Sequence, residues 1–268
     1  EGFSHQKFAV RYLTWYDRLM LLHDPGTGKS CIITHSAELF KNSYLKDPDD
    51  PTQIRRAVIL LHGPALEENI KHEIVCKCTD RIYETEKVLQ AASETVMKSN
   101  LTRELNTWYE ITTYEKFAKE IRKFEREEDL EEYMSNKAFY IDEAQNVPSL
   151  QDKKRTTPSP TTIAEARELM EQLTTEYRAR ETQRGRIAEE RFKGETIFQT
   201  IWRAFHKGKR SKIVLATATP MTNTPNDIIP LINLILPLEN QMPKISPEPV
   251  SQQDEFVNQG LDFFEPYF

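Results

Sequence analysis

Leu19-Met20-Leu21-Leu22-His23-Asp24-Pro25-Gly26-Thr27-Gly28-Lys29-Ser30 decides the fold of this chain. An apolar run ends in a loop with two glycines, and a helical pattern begins near Lys29. That order is the one a phosphate-binding P-loop requires. Gly26 and Gly28 allow backbone N–H groups to turn inward around phosphate oxygens, with Pro25 and Thr27 between and beside them. The helix N-terminus favours an anion. Lys29 reaches the β- and γ-phosphates, and Ser30 offers a hydroxyl to Mg²⁺. The pattern G-x-x-x-x-G-K-[ST] is met except at its first position, where His23 stands and is expected to pack or cap. An accidental Gly-rich turn is the bland alternative, and the agreement of strand, loop and helix argues against it.

Outward from this loop, short apolar runs alternate with helical patterns. Candidate strands cover 19–22, 57–62, 108–112, 138–142 and 212–217, and candidate helices cover 6–15, 29–41, 66–78, 114–128 and 227–236. The strands are apolar on both faces, so the expected fold is α/β, a mostly parallel sheet covered by helices on both sides. Residues 151–194 interrupt the rhythm: Thr156-Thr157-Pro158-Ser159-Pro160 leads into a stripe of Ile163, Ala166, Leu169, Met170, Leu173 and Tyr177. The stripe fades over the polar stretch 178–186, so a charged helical insertion is expected there. Residues 242–268 carry Pro243, Pro247, Pro249 and Pro266 and read as a linker. The expected organisation is 1–150 and 195–241 as one nucleotide-binding domain around that insertion.

The chain has 268 residues, 38% hydrophobic, which is enough for a sizeable core. Its net charge of −6 excludes a histone-like wrapper of nucleic acid but not a local basic groove. Three cysteines make no disulfide framework, and the pair Cys76 and Cys78 lacks a second pair for zinc. Reduced thiols in a reducing intracellular compartment are therefore expected. The most apolar stretch, 228–238, is too short to span a membrane and contains two prolines, and residues 1–3 have no signal-peptide character. With no initiator Met, the sequence reads as a piece of a longer chain. The acidic run 125–132 reads as a solvated helix face, and the basic run 206–212 as a loop before a buried strand rather than a phosphate contact.

Two further motifs carry chemistry. In Phe139-Tyr140-Ile141-Asp142-Glu143-Ala144-Gln145 a hydrophobic strand ends in two acids. Downstream of a P-loop, such an Asp binds Mg²⁺ and a following Glu deprotonates the attacking water. In Leu215-Ala216-Thr217-Ala218-Thr219-Pro220-Met221, hydroxyls at a strand end are placed to bond the acidic motif.

In this order, Gly26-Thr27-Gly28-Lys29-Ser30, Asp142-Glu143-Ala144-Gln145 and Thr217-Ala218-Thr219-Pro220 resemble motifs I, II and III of superfamily 2 helicases. Gln6 resembles the adenine-sensing glutamine, His62-Gly63-Pro64-Ala65-Leu66 resembles motif Ia, and Ile111-Thr112-Thr113-Tyr114-Glu115 is similar to motif Ib. The style is closest to large DNA virus helicases such as the poxvirus early transcription factor small subunit and nucleoside triphosphate phosphohydrolase I. The similarity covers roughly 5–40, 57–70, 108–146 and 198–238.

The resemblance implies a RecA-like domain with ATP and Mg²⁺ as cofactors. It implies that Gln6 reads adenine, that Lys29 and Ser30 hold phosphates and Mg²⁺, and that Asp142 binds Mg²⁺. Glu143 is then the general base, and Gln145, Thr217 and Thr219 couple hydrolysis to movement. Pro64, Ala65, Thr112 and Thr113 stand where the family touches a DNA or RNA backbone. A second RecA-like domain of the parent chain would supply motifs IV to VI and the arginine fingers. The implied setting is viral transcription, in the host cytoplasm or virion, with no membrane partner. A nucleotide-gated binding module with little hydrolysis and a P-loop kinase remain as other classes. Glu143 argues against the first, and Thr217-Ala218-Thr219-Pro220 against the second.

Overall fold

A computed structural model describes residues 3–24, 26–147, 195–221 and 225–242. Pro25, the expected insertion at 151–194 and all of the expected linker except Met242 lie outside the described residues.

The chain opens with helix α1 (Ser4–Trp15) and strand β1 (Arg18–Leu22), followed by the P-loop and helix α2 (Lys29–Lys46). Strand β2 (Arg56–Leu61) leads to helix α3 (Ala65–His72), which continues into a π-helix at Glu73–Cys78. Helices α4 (Glu86–Leu89) and α5 (Glu94–Asn106) precede strand β3 (Tyr109–Thr113). Helices α6 (Tyr114–Ile121) and α7 (Glu127–Met134) precede strand β4 (Lys137–Asp142). The remaining elements are α8 (Ile197–Phe205), β5 (Lys212–Thr217) and α9 (Ile229–Asn233).

The five strands form one all-parallel sheet in the order β1-β5-β4-β2-β3, the RecA-like arrangement expected. Both faces are covered, and the side-chain period of two divides each strand between two cores. On β2, Ala57, Ile59 and Leu61 pack with Ile32, Ile33 and Ala37 of α2, whereas Val58 and Leu60 pack with Phe117 and Ile121 of α6 and Trp202 of α8. Because all strands run the same way, their C-terminal ends share one edge, and the loops carrying chemistry leave from it.

Several expectations need correction. The helix expected over 114–128 is two, because α6 ends at Ile121 and α7 starts only at Glu127. The acidic run is partly the expected solvated face, but Leu130 and Met134 of α7 are buried. The helix expected over 66–78 changes to π geometry at Glu73. The span 227–236 is a 3₁₀ turn plus the five-residue α9. The basic run is the expected loop before a buried strand, and its lysines, with Lys212 at the start of β5, pair with acids: Lys207 with Glu127 at 2.8 Å, Lys209 with Glu131 at 2.6 Å and Lys212 with Asp17 at 2.8 Å.

The expectation of reduced thiols throughout is overturned. Cys31 and Cys78 form a disulfide with Cα atoms 5.1 Å apart, and Cys76 alone is free. The pair was hidden by a sequence separation of 47, which only the packing of α2 against the π-helix closes. Loop-closure entropy for such a cross-link is roughly 4 kcal/mol of stabilisation. Among the described residues, no helix is long and apolar enough to cross a membrane.

Candidate active site

The loop expected to bind phosphate is shaped by its two glycines. Gly26 and Gly28 have φ of 82° and 85°, the left-handed region where a Cβ is costly. At Gly28 a Cβ would also stand 2.3 Å from Nε2 of Gln6. Gln6 is buried, and its amide N–H groups point at the carbonyl oxygens of Thr27 and Gly28, at 3.4 and 3.5 Å. Its Oε1 accepts the Phe3 N–H at 2.9 Å, which caps α1. The expected adenine-reading residue is thus seated between a helix start and the P-loop backbone. His23, at the non-matching position, extends the strand ladder by donating its N–H to Thr217 O at 3.1 Å. Burial, and after it His5 and Lys29, push its imidazole below the usual histidine range.

Lys29 is folded back onto its own loop, with Nζ donating to His23 O at 2.9 Å and Asp24 O at 3.4 Å. Gly26, Gly28, Lys29 and Ser30 line a cavity of about 440 Å³ that Asp142 and Glu143 also line. The P-loop and the acid pair, more than a hundred residues apart in sequence, therefore share one space. A larger cavity of about 740 Å³ beside β1 is lined chiefly by apolar residues such as Leu19, Met20, Ile232 and Met242, and holds none of these groups.

Asp142 ends β4, and Glu143 turns the chain with φ of 52°, a strained value for a side-chain-bearing residue. Desolvation first, and Glu143 second, raise the Asp142 carboxyl to about 6, while Lys29 opposes this. Tyr114, at the start of α6, donates its hydroxyl to the Asp142 carbonyl and, at 3.2 Å, to the Glu143 carbonyl. Burial and the two carboxylates push that phenol well above its usual range, so it stays a donor. Tyr114 lies in the stretch similar to motif Ib, and no spacing rule signals this role for it.

A hydrogen-bonded line joins the second and third motifs. The Thr219 N–H donates to Thr217 Oγ1 at 3.2 Å, and the Thr217 hydroxyl donates to Gln145 Oε1 at 2.5 Å. Gln145 Nε2 in turn donates to Glu143 Oε2 at 2.6 Å. β5 carries Thr217 next to β4, with Ala216 paired to Asp142, which is why the line can form.

The expected nucleic-acid residues gather at the same sheet edge. Pro64 and Ala65 start α3 after β2, and Thr112 and Thr113 end the neighbouring β3. Pro64 and Ala65 are exposed and Thr112 is half-buried. Thr113 is buried, and its Oγ1 accepts the Lys116 N–H at 3.3 Å, so it caps α6.

For Mg²⁺, the fit rests on the donor set. Ser30 and Asp142 line one cavity, and the Asp142 carboxylate is destabilised by burial and by Glu143, so a cation there is favourable. Among the described residues, no cluster of three or more His, Cys, Asp or Glu forms a protein-only metal cage. One carboxylate and a hydroxyl, completed by phosphates and water, is what Mg²⁺ accepts.

No family model matches the chain. It is 28% identical over 259 residues to "Putative helicase 087L" of Invertebrate iridescent virus 3, which covers 94% of this chain and 21% of that protein. It is also 28% identical over 240 residues to "Putative helicase 009L" of Frog virus 3, covering 88% of this chain and 20% of the relative. The chain spans about a fifth of the length of these curated relatives. Nearly the whole chain is thus similar to one segment of two large DNA virus proteins that bear helicase names.

Proposed function

We propose that this chain is the ATP-binding RecA-like domain of a superfamily 2 helicase or translocase of a large DNA virus. ATP hydrolysis would drive movement along DNA or RNA, in a transcription-linked role. The observation that carries the reading is the single cavity lined by Lys29, Ser30, Asp142 and Glu143 together. The relatives' helicase names support it.

In this reading the phosphates sit at the N-terminus of α2, against the backbone around Gly26 and Gly28. Lys29 leaves the His23 and Asp24 carbonyls and pairs with the β- and γ-phosphate oxygens. Ser30 and Asp142 hold Mg²⁺, which neutralises charge on the phosphates when bound. Glu143 accepts the proton of the in-line water. Gln145 holds the Glu143 carboxylate, Thr217 holds Gln145 and Thr219 holds Thr217, so a shift at the third motif reaches the base through three hydrogen bonds. Pro64, Ala65 and Thr112 would meet a nucleic-acid backbone, with Thr113 supporting the turn from beneath. A second RecA-like domain would complete the site with an arginine finger.

The test separates binding from hydrolysis. Lys29→Ala should weaken ATP binding about tenfold or more, through loss of a charge-assisted contact. Glu143→Gln should bind ATP normally and lose about 10²-fold or more in turnover in the full-length parent. Wild-type turnover by Glu143→Gln would remove Glu143 as the base.

A further inference from the structure

We infer that Cys31 and Cys78 form a thiol-oxidation site in the wall of the nucleotide cavity, and that closing their bond lowers affinity for Mg-nucleotide. The inference rests on the nucleotide reading of that cavity. Both cysteines line it together with Gly28, Lys29 and Ser30. Cys31 is in the first turn of α2, two residues after the phosphate-binding lysine, and its N–H donates to Gly28 O at 3.0 Å. Cys78 ends the π-helix, a rare geometry that tends to occur at functional sites. Asp80 and Arg81 follow with φ of 49° and 61°, two left-handed residues that fix the joint behind Cys78. The ring of His35 on α2 lies 3.0 Å from the Cys78 carbonyl oxygen, so the two sulfurs meet across an already packed contact.

The cross-link opposes the change that ligand binding requires. Lys29 is docked on His23 O and Asp24 O through its Nζ, so holding a phosphate requires its side chain to leave those carbonyls and the first turn of α2 to be free to settle around the anion. The disulfide ties that turn, through Cys31, to the end of the π-helix. Reduction frees both sides. Cys76 is no substitute partner: residues two apart on a helix do not share a face, and its thiol is outside the cavity lining.

Oxidation needs a small-molecule disulfide of the glutathione type. A thiolate of one cysteine attacks it and releases one small thiol. The second cysteine then attacks the mixed disulfide and releases the other. Two electrons pass from the protein to the reagent, and the two thiol protons end on the released thiols. A small dithiol reverses the exchange.

The experiment measures Mg-ATP affinity of the full chain after reduction with a dithiol and after equilibration with oxidised glutathione, with the 31–78 bond scored by peptide mapping. The oxidised form should bind about tenfold more weakly or worse. Cys76→Ser should keep this response, and Cys78→Ser should bind equally before and after oxidant. Reduced Cys31 and Cys78 should be protected from alkylation by Mg-ATP. Equal affinity of the two forms, or no 31–78 bond after oxidation, overturns the inference while the nucleotide reading stands. No binding by either form overturns both.

Discussion

Asp142 is the residue whose chemistry is most constrained. Its carboxyl is raised to about 6 by burial and by the neighbouring Glu143. An unfolded aspartate titrates near about 3.9. Between these values the folded chain binds more protons than the unfolded one, so stability falls as pH rises through that window and stays low above it. Asp142→Asn removes the buried charge at nearly constant volume. It should therefore raise stability of the ligand-free chain at pH 7.5 by about 1–2 kcal/mol after allowance for solvent screening. The gain should vanish below about pH 4, where both states of the wild-type carboxyl are protonated. Thermal melts at the two pH values decide it, and an Asn variant less stable at pH 7.5 would show that Asp142 is satisfied without a cation. The same substitution should abolish Mg²⁺-dependent hydrolysis, so a functional cost accompanies the stability gain.

Helix α8 is held by an ion pair rather than by capping alone. Glu195 and Arg203 are both buried and meet at 2.9 Å, with the Thr200 hydroxyl donating to the same carboxylate at 2.9 Å. Arg203→Ala leaves that buried carboxylate with the longer pair to Arg122 at 4.0 Å and should cost about 3 kcal/mol, read as a lower urea midpoint. The double change Glu195→Leu with Arg203→Met should recover most of the loss, because neither member of the buried pair is left alone and Arg122 keeps its bonds to Thr200 Oγ1 and the carbonyl of residue 195. Residues 151–194 face a different expectation. The P-loop, acid pair and hydroxyl line are built without them, so a short Gly/Ser linker in their place should leave ATP affinity within about threefold. A larger loss with the fold intact would make the segment part of the site. The elements also show what a sequence can disclose. The strands were legible because each is a short two-faced apolar run between loops with strong signals, and every expected strand lies within one residue of its observed bounds. Helix α8 was missed although its sequence carries a helical period, with Gln199, Thr200 and Arg203 polar among Phe198, Ile201, Trp202 and Phe205; Thr200 and Arg203 bond Glu195 instead of water, so even that polar face is buried. Helix α5, also missed, is the opposite case: Leu105 is its one buried residue, so no stripe exists. The Gln145–Thr217 contact is the bond to the acidic motif expected of the strand-end hydroxyls, whereas the Cys31–Cys78 bond depends on which elements pack together, and no local pattern encodes that.

In the proposed reading, the whole molecule joins a complete nucleotide-binding wall to an incomplete transition-state wall. Gln6, Gly26, Gly28, Lys29, Ser30 and Asp142 surround the loop and cavity, and Glu143 is held by Gln145. Among the described residues, no arginine lines that cavity. In the proposed reading the arginine finger comes from a second RecA-like domain. Its absence typically costs about 10³–10⁵ in rate, or roughly 4–7 kcal/mol. The 268-residue chain alone should therefore bind Mg-ATP and hydrolyse it at well under about one per minute. Nucleic acid should bind it weakly and with a steep salt dependence, because half of a backbone-tracking groove offers few phosphate contacts and the basic loop at 206–212 is already paired with acids. The measurement is ATP turnover by the purified, reduced chain with and without duplex DNA, beside nucleotide binding on the same sample. Binding without turnover supports the divided site. Turnover near about one per second, stimulated by DNA, would require an arginine within this chain to reach the γ-phosphate. Arg178, Arg180, Arg184 and Arg186 of the segment outside the described residues would then be the first to replace.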